Sequence, residues 1–535
     1  MAFTTQEGTG GAPWTFLGTP AADSIAVITG NTQNTEAFDF IAEGFEGNDT
    51  INFNGTRSVT IKGGQGADLI TNNIAASAGL TSIISASFIN GNDGDDRIGN
   101  TELGLLATLS TVSGGQGADK LYVGSLQSSK VNGNLGADFL EVGDITPDVI
   151  DGFDSISNFN AASIFGGQGD DAIRVRSIAR AFTNSQVAGQ DGNDAIQIQV
   201  GSFSLQAAIA ANEDRGFDPD NGILTSPTTT GTTFDGGDGN DILDASALLL
   251  DIKQGGRVEI DANINNASGS DLDLFGGVGN DSMFGGVGED LVDGEEGDDW
   301  LAGYGGRDEV VGGIGDDLII GAYFDGELSV GFIGDAAGDT LSGGTGSNRF
   351  FVPGSASGRG VGASFFNTLG STGNITVTSA GPSTTTNSVG VATISNGDFI
   401  TVAFGADVIT DWNAGAGNNV LDTSIGNNLQ VGNAGAAQMS FGNLYGGTVG
   451  GVATGTQGNF AVRGFYTERF NDQGQFVVNQ NGTDIAVWTN YTGGQFTQAG
   501  DVDSQQVFTS SVSNFTILKG VSTTVVVTAN EFVAL

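Results

Sequence analysis

Gly276–Ile320 reads GGVGNDSMF, GGVGEDLVD, GEEGDDWLA, GYGGRDEVV, GGIGDDLII: five nonapeptides in one unbroken register. The sixth position is always acidic (Asp281, Asp290, Asp299, Asp308, Asp317) and the eighth always apolar (Met283, Val292, Leu301, Val310, Ile319). A short period of this kind marks a unit that buries its apolar side only by stacking on its neighbours. The first six residues form a turn, because glycine admits left-handed backbone angles and lets the chain approach other groups closely. The last three form a short strand, whose alternation points the eighth side chain inward and its neighbours outward. Trp300 falls on an outward position, where it is either exposed or packed under a neighbouring loop.

The same turn recurs upstream. It ends at Asp49, Asp68, Asp96, Asp119, Asp138, Asp171, Asp194 and Asp241. Two residues later comes Ile51, Ile70, Ile98, Leu121, Leu140, Ile173, Ile196 or Leu243. Intervals of 19, 28, 23, 19, 33 and 23 residues separate the first seven acids. These spacings predict coils with one regular turn and one degenerate or expanded turn; isolated Gly-Asp turns in an ordinary sandwich are the alternative.

The pattern G-G-x-G-x-D-x-U-x resembles the RTX calcium-binding nonapeptide. That resemblance implies an all-β chain: a right-handed parallel β-roll (RTX β-helix) followed by a β-rich C-terminal domain. It implies that two nonapeptides complete one coil and that Ca2+ ions sit between stacked turns. Asp281, Asp299 and Asp317 then line one edge, and Asp290 and Asp308 the other. The implied carboxylate ligands are these five, the eight upstream acids and Asp339. The implied carbonyl ligands come from Gly276, Val278, Gly285, Val287, Gly294, Glu296, Gly297, Gly303, Gly305, Gly306, Gly312, Ile314 and Gly315. Calcium suits this set, since it takes about six to eight hard oxygens in a flexible shell.

The expected division is an N-terminal capping or assembly segment over 1–43, the roll over 44–349 with an insertion at 201–233, and a β-rich region over 350–535. Within the insertion, Phe203–Glu213 reads as a short amphipathic helix, and Asp218 and Asp220 near Gly222 as a solvated turn or a further calcium loop. After Ile320 the register breaks: Ala337 stands where glycine belongs, and Asn348 replaces the acid.

Composition narrows the function. The chain has 535 residues, 90 of them glycine, yet 38 % are hydrophobic and 34 are Phe, more apolar surface than a disordered tail carries. Sixty-two acidic residues against 17 basic ones give a net charge of −45. Such a chain repels nucleic acid and anionic membranes and attracts cations. There is no cysteine and no histidine, which removes disulfides, thiolate metal sites, histidine-based triads and histidine-ligated zinc. No run of residues reaches the length of an apolar membrane span, and the N-terminus lacks a basic-then-apolar export signal.

Beyond Gly354, Ser, Thr, Asn, Gly and β-branched residues predict further strands. Val477–Thr489 reads as a hairpin turning on Asn481-Gly482. Asp407–Asp422 resembles the stretch that follows RTX repeats in type I secretion substrates, with Trp412 for the usual Phe and Asn419 for the usual Asp. Val525–Leu535 resembles the uncleaved C-terminal signal of that route. The resemblance thus extends to RTX-type S-layer and oscillin-like surface proteins, and implies an extracellular calcium-binding structural protein that self-associates and is not an enzyme. A calcium-dependent adhesin or carbohydrate-binding protein, with cell-surface polysaccharide as candidate partner, is the second reading. A polysaccharide-active enzyme working with carboxylates alone is the third.

Overall fold

The computed structural model describes residues 4–6, 14–27, 40–53, 58–72, 83–99, 105–143, 159–177, 182–200, 202–204, 223–225, 231–245, 272–286, 289–303, 307–321, 339–351, 374–378, 393–395, 399–402, 407–412, 419–422, 429–431, 438–440, 457–468, 474–479, 481–492, 497–502, 505–511, 514–521, 525–527 and 531–534. Every regular element among them is a β-strand. No helix among them is long and apolar enough to cross a membrane. The chain divides into two units, Met1–Met283 and Phe284–Leu535.

In the first unit, strands stack in parallel and in chain order. One ladder runs Trp14–Leu17, Phe40–Glu46, Val59–Gln65, Phe88–Asp93, Thr111–Gln116, Lys130–Leu135, Ser163–Gln168, Gln186–Asp191, Thr233–Asp238 and Asp273–Val278. Thr4–Gln6 covers its starting edge in antiparallel pairing. A second ladder runs Ser24–Val27, Thr50–Phe53, Leu69–Asn72, Arg97–Ile98, Lys120–Gln127, Phe139–Gly143, Ala172–Ser177, Ala195–Val200 and Ile242–Asp244. A short third ladder joins Ile83–Ser85, Leu105–Thr108, the end of Lys120–Gln127, Phe159–Asn160 and Phe182–Thr183.

One coil is therefore a first-ladder strand, an Asp corner, a second-ladder strand, a stretch of variable length, and a second corner leading back. This is the parallel β-roll that the repeat predicts. Alternation fills its inside. Ile51, Ile70, Ile98, Leu121, Leu140, Ile173, Ile196 and Leu243 are buried and pair strand to strand, like on like. Ile61, Ile89, Val112, Val131, Ile164, Val187, Phe234 and Leu274 form the matching row of the first ladder. Each such side chain contributes about 1.5–3 kcal/mol by leaving water.

Ser202–Ser204 pairs antiparallel with Ile223–Thr225 at the base of the insertion. Phe203 and Ser204 are therefore strand where the sequence suggested helix; the rest of that stretch, with Asp218 and Asp220, lies outside the described residues.

The second unit continues the pattern with Leu291–Glu296, Glu309–Val311, Thr340–Ser342 and Asp407–Ile409 in one parallel ladder. Trp300–Ala302, Leu318–Ile320, Arg349–Phe351 and Val420–Asp422 form the other. Trp300 is 39 % exposed, with the Phe284 ring edge-on at 5.2 Å. Asn514–Leu518 joins the first ladder beside Asp407–Ile409. Glu531–Ala534 pairs antiparallel with both Val420–Asp422 and Val525–Val527.

The hairpin expected over Val477–Thr489 is corrected. Gly474–Val478 and Asp484–Thr492 do not pair with each other; each lies antiparallel on one side of Gln457–Glu468. The tight turn itself forms, with Gly482 N–H donating to Asn479 O at 2.9 Å. It carries the chain across the long strand, and a Cβ on Gly482 would collide with the Gly464 carbonyl. A twelve-residue strand offers two long edges, and three partners share them: these two strands and, in parallel, Leu429–Val431.

Candidate metal centre

The Asp corners of the first unit form one continuous column. Each backbone N–H donates to Oδ1 of the equivalent Asp in the next coil: Asp23 to Asp49, Asp49 to Asp68, Asp68 to Asp96, Asp96 to Asp119 and Asp119 to Asp138, all at 2.7 Å. Asp138 to Asp171, Asp171 to Asp194, Asp194 to Asp241 and Asp241 to Asp281 continue it at 2.7–2.8 Å. The column is buried throughout.

One oxygen per carboxylate suffices for this stacking. The other, Oδ2, is buried without a hydrogen-bond partner in Asp49, Asp68, Asp96, Asp119, Asp138, Asp171, Asp194, Asp241 and, in the second unit, Asp317. Burying a charged oxygen unpaired is costly. The turn aims it at a second oxygen. Around Gly63, a Cβ would strike both Asp68 Oδ2 and the Gly91 carbonyl oxygen of the next coil. The same pair of obstacles, own Asp Oδ2 and next-coil glycine carbonyl, faces Gly44, Gly91, Gly114, Gly133, Gly166, Gly189 and Gly236. Glycine at this place is what lets the oxygens converge. Gly66, with φ +126°, supplies the left-handed residue that closes the turn.

Electrostatics point the same way. Burial pushes the Asp96 carboxyl up to about 8, with the charges of Asp68, Asp119 and Asp95 adding to the rise. Burial likewise raises Asp119, Asp171 and Asp241 to about 7 and Asp68, Asp138, Asp194 and Asp317 to about 6. Asp49 and Asp407 are raised for the same reason. A row of such groups is at ease only with a proton or a cation between its members. Among the described residues no three acidic side chains meet at one point; each cradle combines carboxylate with backbone carbonyl. Hard, mixed oxygen donors of this kind fit calcium.

The second corner is different. A left-handed residue (Ala86, Leu109, Ser128, Asn184) precedes a buried serine: Ser87, Ser110, Ser129, Ser185. Val59 N–H donates to Ser87 Oγ, Ser87 N–H to Ser110 Oγ, Ser110 N–H to Ser129 Oγ and Ala162 N–H to Ser185 Oγ, at 3.0–3.1 Å. Each hydroxyl in turn donates to the carbonyl two residues back. This ladder is neutral, and each of its hydroxyls both accepts and donates.

In the second unit both corners are built from Asp or its amide Asn. Asp290, Asp308, Asp339 and Asp407 form one column. Asp299, Asp317, Asn348 and Asn419 form the other. Gly285 faces Asp290 Oδ2 and the Gly303 carbonyl; Gly294 faces Asp299 Oδ2 and the Gly312 carbonyl; Gly312 faces Asp317 Oδ2 and the Gly343 carbonyl. The Gly276 carbonyl closes the cradle of Gly236 in the first unit. Val278 and Ile314 carbonyls accept Gly239 and Gly297 N–H at 2.7 and 2.8 Å. Val287, Gly305 and Gly306 lie outside the described residues.

Several column members escape the glycine signature. Asp23 closes the turn GTPAAD, and its Oδ2 accepts Thr19 N–H at 2.5 Å and Thr19 Oγ1–H at 2.8 Å. Asp407 and Asn419 end the second unit's columns, and Asn419 Nδ2 donates to Trp412 O at 2.9 Å. Asp411 clamps Gly343 N–H, Gly344 N–H and Ser342 Oγ at 2.7–3.0 Å. The readable signal was Asp-x-Ile, shared by Asp23-Ile25, Asp49-Ile51 and Asp407-Ile409. Its serine counterpart is Ser-x-Ile/Val at Ser87, Ser110, Ser129 and Ser185.

The family model of the RTX calcium-binding nonapeptide repeat (4 copies) matches residues 232–247, 273–301 and 293–322. A search of curated proteins finds no match. The matched stretches contain Asp241, Asp281, Asp290, Asp299, Asp308 and Asp317, the same acids that stand in the columns. The chain carries RTX calcium-binding nonapeptide repeats on a parallel β-roll, and such repeats bind multiple Ca2+ ions.

Proposed function

We propose that this is a secreted structural protein of the cell surface, of the S-layer or surface-filament kind, that folds and self-assembles on extracellular calcium. The observation that carries the reading is the column of buried carboxylates, in which eight successive members from Asp49 to Asp241 keep a buried oxygen without a hydrogen bond. Without cations these groups oppose one another, and the coils cannot offset their ordering entropy. With calcium, binding and folding become one event. A chain of net charge −45 would then stay open where calcium is scarce and close where it is plentiful. Export by a type I route with a C-terminal signal fits that order of events. The role is structural rather than catalytic: the buried carboxylates stand on a stack, each tied to the next coil.

Calcium titration followed by circular dichroism and light scattering, with electron microscopy of the product, tests this. Gain of β-structure followed by sheets or filaments, reversed by chelator, is expected. A calcium-saturated chain that folds yet stays monomeric at all concentrations would remove the assembly role while keeping the metal reading. Folding indifferent to calcium would remove both.

A further inference from the structure

The apolar burial that stands behind each acidic corner differs sharply between the two units. In the first, the coil of Asp119 buries Val112, Leu121, Val123 and Leu126, and the coil of Asp171 buries Ile164, Ile173 and Val175. Each of these coils has one carboxylate corner, and its other corner, at Ser110 or Ala162, belongs to the neutral serine row. In the second unit an acidic corner comes every nine residues, at Asp290, Asp299, Asp308 and Asp317. Behind them stand Val292, then Leu301 with Ala302, then Val310, then Ile319 with Ile320. Trp300–Ala302, Glu309–Val311 and Leu318–Ile320 are three residues long. Thr111–Gln116, Lys120–Gln127 and Ser163–Gln168 run to six, eight and six.

Charge follows the same division. Met1–Met283 holds 37 acidic and 11 basic residues, whereas residues 284–350 hold 15 and 2. The excess of acid per residue is thus about twice as high in the second roll, and self-repulsion works against a compact state. An array of stacked coils is stabilised by local and nearest-neighbour contributions, so its parts need not close together.

We infer that the roll closes in two calcium-dependent steps, the first unit at a lower calcium concentration than residues 284–350 of the second. Linkage fixes the order. An ion that binds only the closed coil stabilises it by an amount that grows with the logarithm of its concentration. Each carboxylate corner of the Asp119 and Asp171 coils is backed by three or four buried side chains and by a neutral opposite edge. Each corner from Asp290 to Asp317 is backed by one or two, and the opposite edge is acidic as well. Less stabilisation is therefore required of each ion in the first unit, and a lower concentration supplies it. A calcium range then exists in which the first unit is closed and the roll of the second is open. The inference rests on the calcium reading above and adds an order of events to it.

Hydrogen exchange of the full chain, read by mass spectrometry across free calcium from chelator to saturation, follows the two units separately. Peptides within residues 111–143 should become protected at a calcium concentration at least about threefold below that for peptides within residues 307–321. Asp308→Asn keeps an acceptor for the Asp290 N–H and removes the charge. It should raise the midpoint of the second set of peptides and leave the first where it was. Asp119→Asn, which keeps an acceptor for the Asp96 N–H, should do the converse. Should either variant fail to close in saturating calcium, the order of the two wild-type midpoints still decides. One shared midpoint, or the reverse order, overturns the inference and leaves calcium-dependent folding standing. Protection of either set in chelator overturns it too, and protection of both removes the calcium reading with it.

Discussion

The two corners of each coil in the first unit solve the same stacking problem with different chemistry. At one, Asp96 N–H donates to Asp119 Oδ1 at 2.7 Å; at the other, Ser87 N–H donates to Ser110 Oγ at 3.1 Å. The direction along the roll is the same. The serine corner shows that at most one neutral oxygen per coil, with none at Ala162, is enough to align the stack. The second carboxylate oxygen at the Asp corner is therefore surplus to stacking, and it is the oxygen that faces the next glycine carbonyl. Asn348 and Asn419 give a third version: Oδ1 keeps the hydrogen bond while an amide nitrogen replaces the surplus oxygen. The proposal that charge at a corner serves cation binding thus has its internal control in the serine ladder.

Removing calcium gives the largest expected effect. Chelator should abolish most β-structure by circular dichroism and expand the chain in sedimentation, and added calcium should restore both. A chain that keeps its spectrum would show the Asp corner to be as self-sufficient as the serine corner.

Next in size is a substitution within the column. Asp119→Ala removes the acceptor of the Asp96 N–H as well as the charge. An unsatisfied buried donor costs about 1–3 kcal/mol, in addition to the lost ion site. Asp119→Asn keeps the acceptor, as Asn348 does. Its calcium midpoint should rise, while its stability at saturating calcium should exceed that of the alanine variant in urea unfolding. Equal behaviour of the two variants would erase the distinction between stacking oxygen and surplus oxygen.

The sequence revealed the charged corner far better than the neutral one. Glycines at fixed offsets from an acid announce Asp49 through Asp317, because left-handed angles and close backbone approach admit little else. Asp23 and Asp407 were hidden: GTPAAD lacks the second and fourth glycines, and the residues before Asp407 are likewise off pattern. Thr19 fills the role of the missing glycine turn by donating to Asp23 itself. Ser87, Ser110, Ser129 and Ser185 were not legible as a corner, because each lies after a stretch whose length differs from coil to coil. Serine occurs in too many settings to signal alone. The hairpin at Asn481-Gly482 failed for a related reason: a turn is a local property, but which edge a strand joins is decided by distant partners.

Acid should partly substitute for the metal, with a smaller effect. In the calcium-free chain, carboxyls raised to about 8 at Asp96, about 7 at Asp119, Asp171 and Asp241 and about 6 at Asp68, Asp138 and Asp194 bind more protons when stacked than when unfolded. Their protonated form stabilises the stack fully below the ordinary carboxylate range, near 4, and that contribution is lost as pH rises through about 6 to 8. Circular dichroism in chelator should therefore show β-structure growing as pH falls from about 8 towards 4. With calcium bound, the carboxylates are already neutralised, and the curve should be flat over that range. A calcium-free chain insensitive to pH would mean that the column does not form without metal at any charge state.

The smallest effect is the sharpest test of independence. Ser110→Ala deletes the acceptor of the Ser87 N–H and the donor to Thr108 O. The cost should lie near 1 kcal/mol, because the neutral bond contributes modestly and the row already includes Ala162 at the equivalent place. Urea unfolding at saturating calcium should register that loss, while the number of ions taken up per chain should not move. The hydroxyl holds one edge of a coil whose other edge carries the carboxylate column, and the buried rows of Val112 and Leu121 lie in the strands that connect them. If the ion count fell in Ser110→Ala, the two edges would have to be coupled through those strands, and the serine ladder would be part of the calcium site rather than its neutral counterpart.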